Sequence, residues 1–342
     1  MTLLQPETAP APAGTPLLSI KDLAVEFSTS AGVVRALDRV SFDVAQGETV
    51  ALLGESGSGK SVTAQAIMAL LPKPAGQIVG GSILYNGVDL ATASVSQVRE
   101  LCATEIAMIF QDPLSSLNPV FRVGYQVAEP FRRRLGLSKQ ESWARALELL
   151  KRVGIPKAEE RIRDYPYQFS GGQRQRIMIA MALALGPKLL IADEPTTALD
   201  VTVQAQIMRL LSDLQAETGM AMILISHDLG VVADVAERAA IMYAGRIIET
   251  GTIREVYDHP AHPYTKGLLD SIPSAATMGQ RLKPIVGSPP NLLNLPAGCA
   301  FSPRCPYATQ ETRNVVPELR QPQGWAEGHL AACHRSEEVL QP

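Results

Sequence analysis

Gly54, Glu55, Ser56, Gly57, Ser58, Gly59, Lys60 and Ser61 fit the pattern G-x-x-x-x-G-K-[ST], whose chemistry is the binding of a polyphosphate. The glycines let backbone N–H groups curl around an anion. A helix opening at Lys60 points the positive end of its dipole at the same place. The pattern predicts that Lys60 reaches the β- and γ-phosphates of a nucleotide and that the Ser61 hydroxyl binds Mg2+, with Val62 completing the helix start at this site. A second signal is Leu189-Leu-Ile-Ala-Asp193-Glu194, an apolar run ending in two acids. A strand of that kind sets Asp193 beside the phosphate loop to hold the Mg2+ shell. Glu194, one residue further, can polarise an attacking water as a general base. The bland alternatives are a glycine-rich turn and a solvated acidic loop. Context disfavours both, because the loop lies between a buried strand and a helix, and each motif supports the other.

The third signal is Phe169-Ser170-Gly171-Gly172-Gln173-Arg174-Gln175-Arg176. Ser170 is a good N-cap, and Ser170 with Gln173 has the spacing of a capping box. Gly171 and Gly172 leave the helix start bare, which makes a second anion site. One nucleotide fills the first helix start, so the second is expected to serve a nucleotide held by another chain.

The elements that must position these residues can be read around them. Leu18 to Ser28 alternates apolar and polar residues, and Val40, Phe42 and Val44 repeat the pattern, as half-buried antiparallel strands do. Glu48 to Leu53 is an apolar run expected to be a buried central strand, followed after the loop by a helix from Lys60 to about Leu71, stopped by Pro72. Leu189–Asp193 and Met222–Ser226 are further buried strands. Between them Asp200 can cap a helix carrying Val203, Ile207, Leu210, Leu211 and Leu214, with Gly219 beyond its end. Strands alternating with helices predict a parallel α/β sheet. Ile241 to Ile248 reads as a hairpin turning at Ala244-Gly245. Residues 112–168 read as a helical insertion, with an amphipathic helix over Glu141 to Val153.

The chain has 342 residues, 46% hydrophobic and 19% charged, with a net charge of −3. That composition supports a sizeable core and gives no basic block to bind nucleic acid. Residues 1–16 are expected to be a disordered tail rather than a signal peptide. The best candidate for a membrane span, within Ile177 to Ala192, is broken by Gly186, Pro187 and Lys188, so any crossing falls to other chains. From about Asp258 prolines punctuate a loop-rich C-terminal extension. Four cysteines are too few for a disulfide framework.

On these motifs the sequence resembles the ABC ATPase family. The family signature stands here as Phe169-Ser-Gly-Gly-Gln173, with Phe replacing the usual Leu. Gln111 matches the Q-loop glutamine, Ala198-Leu199-Asp200 the D-loop, and His227 the switch histidine. Phe27 lies where the family stacks an aromatic on adenine. The resemblance implies a fold: a P-loop NTPase (RecA-like) core with an antiparallel β subdomain, an α-helical insertion and the extension. It implies a nucleotide-binding domain over residues 17–259 and the extension over 260–342. It also implies a mechanism, with two such domains head to tail and each ATP held between one chain's phosphate loop and the other's signature. Glu194 would then activate water, His227 contact the γ-phosphate, and Gln111 join the Mg2+ shell and pass motion to the membrane.

His262-Pro-Tyr-Thr-Lys-Gly-Leu-Leu269, Ile285–Pro290, Gly298–Pro306 and Gln111–Pro119 look like the peptide-importer subgroup. That resemblance implies ATP hydrolysis driving uptake of di- or oligopeptides, at the cytoplasmic face of the inner membrane. The implied partners are a second, different ATPase subunit, two permease subunits and an extracytoplasmic binding protein. Nickel or glutathione cargo, an exporter and a soluble ABC ATPase are the alternatives. Some subgroup members hold a 4Fe–4S cluster through four cysteines of the extension. Here Cys299, Cys305 and Cys333 are present, but Thr312 stands where the third of the four is expected. A cluster completed by His329 or His334, a zinc ion, and a metal-free extension all remain open.

Overall fold

The computed structural model describes residues 15–112, 116–197, 199–272 and 284–339. The tail expected over residues 1–16 and the D-loop residue Ala198 therefore lie, apart from residues 15 and 16, outside the described residues. A four-stranded antiparallel sheet is built from β1 (Leu18–Thr29), β2 (Gly32–Val44), β4 (Gly76–Tyr85) and β5 (Val88–Asp89), in the order β2-β1-β4-β5. The main sheet has seven strands in the order β11-β10-β9-β3-β8-β7-β6. Its parallel part is β3 (Thr49–Leu53), β6 (Ile106–Ile109), β7 (Leu189–Asp193), β8 (Ala221–Ser226) and β9 (Arg238–Tyr243). Antiparallel β10 (Arg246–Thr252) and β11 (Leu330–Ala331) close one edge.

The parallel strands are apolar except at their ends because both faces of the sheet are covered. Ala51 and Leu53 pack into one cluster and Val50 and Leu52 into the other. The first cluster takes in the helical insertion, α3 (Val123–Arg134) and α4 (Lys139–Arg152), through Val127, Ala128, Ala146 and Leu150. The second joins the antiparallel sheet to α1 (Lys60–Ile67) through Leu37, Val40, Ile67 and Ile83. Helix α2 (Val95–Thr104) adds Val98 to that second face.

Helix α1 stops at Ile67 rather than near Leu71. Ala69 turns left-handed (φ 53°), so the chain leaves the helix before Pro72 can end it. Helix α5 (Gly171–Leu183) and helix α6 (Val201–Thr218) have the expected caps. Asp200 accepts a hydrogen bond from the Val203 N–H at 3.0 Å, and Gly219 takes the left-handed C-terminal position. The hairpin turns at Ala244 and Gly245, both at positive φ. Strand β4, which sequence patterning does not single out, is rich in glycine and largely half-exposed, and it owes its place to pairing with β1.

The extension does not hang free. Its strand β11 pairs with β10, and buried His329 sits 2.8 Å from the buried Glu249 carboxylate. Glu249 also accepts the Ala261 and His262 N–H groups. His262 and Pro263 open α7 (Pro263–Asp270). Burial pushes His262 down to about 3, so the neutral ring accepts the Tyr264 N–H through Nδ1.

Candidate active site

Strand β3 ends in the phosphate loop, and β7 and β8 end beside it, so the candidate residues gather at the C-terminal ends of parallel strands. Gly54 (φ 149°) and Gly59 (φ 111°) can be nothing but glycine. A Cβ on Gly54 would stand 2.3 Å from the Met242 carbonyl oxygen, and one on Gly59 2.7 Å from Leu37 Cδ2. Lys60 is only 4% exposed, and its ammonium donates to the Gly54 and Glu55 carbonyls at 2.6 and 3.0 Å. Burial lowers its pKa, and the nearby carboxylates of Glu194, Asp193 and Glu55 oppose that. The buried Ser58 hydroxyl has no hydrogen-bond partner among the described residues. Ser56 and Gly57 are exposed at the loop tip.

Ser61 Oγ donates to Asp193 Oδ1 at 3.1 Å, joining the loop to the end of β7. Burial raises the Asp193 pKa, as does the Glu194 carboxylate, while Ser61 and Lys60 pull it down. Glu194 departs from β7 in the left-handed region (φ 46°), a strained conformation for this residue, fixed by its N–H donating to the Ile225 carbonyl at 3.0 Å. Its carboxylate is held from several sides. Gln111 Nε2 donates at 2.9 Å, Thr197 Oγ1 donates at 2.8 Å, and His227 Nδ1 lies 3.3 Å away. Lys60, Ser61, Asp193, Glu194, Gln111 and His227 are thus one constellation, built from four strand ends and the loop.

These residues fit Mg2+ and a nucleotide triphosphate. Ser61 and Asp193 offer hard oxygen ligands, and an unpaired Ser58 hydroxyl and the Lys60 ammonium line a loop of backbone donors. Phe27 is half-buried on β1, with Gly76 beneath its ring, where a Cβ would come within 2.8 Å of Phe27 Cε1. Val62 packs against the second core cluster from α1.

The Ser170–Gln173 helix start is not joined to this constellation. Ser170 and Gln173 form the capping box, with Gln173 also accepting from Arg161 at 3.1 Å, and none of their hydrogen bonds among the described residues reaches the phosphate loop. Gly171 and Ser170 are exposed. Gly172 answers a packing demand that the sequence does not announce, since a Cβ there would meet Val203 Cγ1 at 2.5 Å. Phe169, in the place of the usual Leu, is buried under the Arg161 guanidinium, 4.0 Å from its ring centroid.

The extension's cysteines do not fit a cluster or a zinc ion. Among the described residues no group of three or more His, Cys, Asp or Glu could hold a metal. Burial pushes the Cys333 thiol up to about 12 and raises Cys299 and Cys305. Thr312 in the missing position spends its hydroxyl on the Thr309 backbone, and its carbonyl accepts the Cys299 N–H. His329 is bound to Glu249 and His334 to the Val315 carbonyl, so neither is free to complete a set.

Two residues near the loop escaped sequence reasoning. Arg304 of the extension forks both oxygens of Glu55 at 2.7 and 3.0 Å. Tyr264 accepts the Glu55 N–H at 2.7 Å. The HPYT segment holding Tyr264 and the Gly298–Pro306 segment holding Arg304 were the available signals, but neither says that its residue reaches the phosphate loop.

Two family models match the chain. "ABC transporter" covers residues 37–197, and "Oligopeptide/dipeptide transporter, C-terminal region" covers residues 248–311. The chain is 54% identical over 295 residues to the oligopeptide transport ATP-binding protein OppD of Bacillus subtilis, covering 86% of this chain and 82% of that protein. It is 50% identical over 303 residues to the dipeptide transport ATP-binding protein DppD of Haemophilus influenzae, covering 89% and 92%. Among solved structures, the dimeric post-hydrolysis state of the ATP-binding cassette MJ0796, bound to ADP and Pi, matches with a TM-score of 0.62 at 29% identity. That match covers 69% of this chain and 99% of the cassette.

Proposed function

We infer, from the premise that the chain belongs to the ABC transporter family and to its group of oligopeptide and dipeptide transport ATP-binding proteins, that it is the ATP-hydrolysing subunit of a peptide importer. The observation that carries the reading is the Glu194 carboxylate, held by Gln111, Thr197 and His227 next to the Ser61–Asp193 pair.

Each residue then has a task. Lys60 and the loop N–H groups bind the phosphates. Ser61, Asp193 and Gln111 would hold Mg2+, which when bound would neutralise charge on the phosphates. Glu194 orients a water and accepts its proton, and His227 steadies the γ-phosphate end of the site. Phe27 stacks on the base. The Ser170–Gln173 helix start, exposed and apart, serves a nucleotide in a second cassette, with Asp200 at the same face. A head-to-tail pair of cassettes is supported by that separation. The partner cassette is a different subunit, and two permeases and an external binding protein complete the importer. The chain sits on the cytoplasmic face of the inner membrane as a peripheral subunit. No helix of the described residues is long and apolar enough to cross a membrane, so the permeases do the crossing.

The test is ATP hydrolysis by the chain reconstituted with its permeases and partner ATPase, comparing wild type with Glu194→Gln. Loss of turnover by about a hundredfold or more, with ATP binding retained, makes Glu194 the base. Unchanged turnover moves hydrolysis to the partner's site and leaves this chain a regulatory half.

A further inference from the structure

The phosphate loop contains a residue that works against its task. Glu55 puts a carboxylate into a loop that must hold a polyphosphate, and like charges at short range repel strongly where water is partly excluded. The structure deals with that charge through the extension. Arg304, with 5% of its side chain exposed, donates from Nη1 and Nη2 to the two Glu55 oxygens. This is the bidentate geometry in which an arginine–carboxylate pair is strongest. The guanidinium is itself held in place. Its Nε donates to the Val286 carbonyl at 3.1 Å, and Nη1 lies 3.4 Å from the Tyr243 hydroxyl.

The same extension grips the loop's backbone. The Tyr264 hydroxyl accepts the Glu55 N–H, and its ring packs with Tyr243 and Phe301, centroids 4.7 and 5.5 Å away. Residues 289–293 face Glu55–Ser58 across a cavity of about 320 Å³. The extension therefore touches the loop by side chain, by backbone and by a facing wall.

We propose that Arg304 is a positioning residue for the nucleotide site: by neutralising Glu55 and drawing it aside, it lets the phosphate loop accept ATP, and the C-terminal extension is thereby part of that site. The proposal rests on the ATPase reading above. Arg304 touches no phosphate in this account and acts through Glu55 alone.

That makes a distinctive prediction about paired substitutions. Arg304→Gln leaves the Glu55 carboxylate without its guanidinium partner, with only the Lys60 ammonium nearby among the described residues, and ATP affinity falls by about tenfold or more. Glu55→Gln removes the offending charge and costs much less. The double variant Arg304→Gln with Glu55→Gln recovers most of the lost affinity. Equilibrium binding of ATP with Mg2+ to the full-length chain reads this directly. In the reconstituted importer the same variants move KM for ATP more than kcat. Should Arg304→Gln fail to fold, Arg304→Met with and without Glu55→Gln gives the same comparison, since methionine fills part of the arginine's space without its charge. An Arg304→Gln loss that Glu55→Gln does not relieve, or no loss at all, overturns the proposal. A wild-type chain that binds no ATP overturns the ATPase reading instead.

Discussion

The Glu194 carboxylate lies 3.3 Å from His227 Nδ1, linking the exit of β7 to the exit of β8. The two are 33 residues apart in sequence and meet only because adjacent parallel strands end level, Asp193 opposite Ile225. His227→Ala removes one of the groups that hold the carboxylate. Turnover in the reconstituted importer should fall by about a hundredfold, while ATP binding, which is proposed to rest on Lys60 and the loop, should change little. A parallel fall in binding would make His227 a structural residue.

Asp193 should trade stability for function. Burial raises its pKa above the ordinary value of 3.8, so the folded state favours the protonated acid. Its contribution to stability is therefore complete below that ordinary value and is lost as pH rises through the raised one. At neutral pH the ionised carboxylate is a cost. Asp193→Asn should raise the thermal midpoint of the nucleotide-free protein at pH 7 and abolish Mg2+-dependent stabilisation by ATP. A lowered midpoint would refute the sign.

Gly172→Ala places a methyl 2.5 Å from Val203 Cγ1, a stiff β-branched neighbour that cannot swing aside. Helix α5 must shift against α6, at a cost of about 1–3 kcal/mol in urea unfolding. ATP turnover by the assembled importer should drop as the helix start moves. Adding Val203→Ala should restore both. Failure of that rescue would point to the glycine's bareness rather than its packing.

Phe301→Ala empties the ring cluster that seats Tyr243, Tyr264 and His262. A loss of about 3–5 kcal/mol is expected from a buried phenylalanine, measured by urea unfolding. A loss within 1 kcal/mol, on the order of a surface change, would mean the extension is loosely docked.

The chain purified without oxygen should carry neither iron nor zinc in stoichiometric amount and show no visible absorption of an iron–sulfur centre. Thr312→Cys supplies the thiol missing from the four, and iron uptake by that variant alone would identify the threonine as the reason. Stoichiometric iron in the wild type would overturn the assignment.

The phosphate loop, the Asp193–Glu194 pair and the caps of α5 and α6 are legible in sequence because each is local: a few adjacent residues dictate one backbone shape. The central strands are legible because burial on both faces leaves an unbroken apolar run. Strand β4 is not, since Gly76, Gly80 and Gly81 dilute any alternation and its partner decides its state. The Arg304–Glu55 pair spans 249 residues, and no periodicity or motif in either segment encodes the other. Gly172 was read for its bare helix start, while its Val203 contact depends on how two helices cross. The three extension cysteines matched a spacing, but the spacing says nothing of the buried, hydrogen-bonded threonine that fills the third of the four places.

Strand β11 carries a consequence for how the protein is made. The His329–Glu249 pair spans 80 residues, and among the described residues β11 is the strand that pairs with the outer edge of β10, at Glu249 and Thr250. Until residue 331 has left the ribosome, the main sheet ends in an open row of unpaired backbone groups, ready to pair with another nascent chain. A release that stops translation short of that point would yield a protein with every nucleotide motif intact and a self-adhesive edge, to be found in aggregates rather than at the membrane.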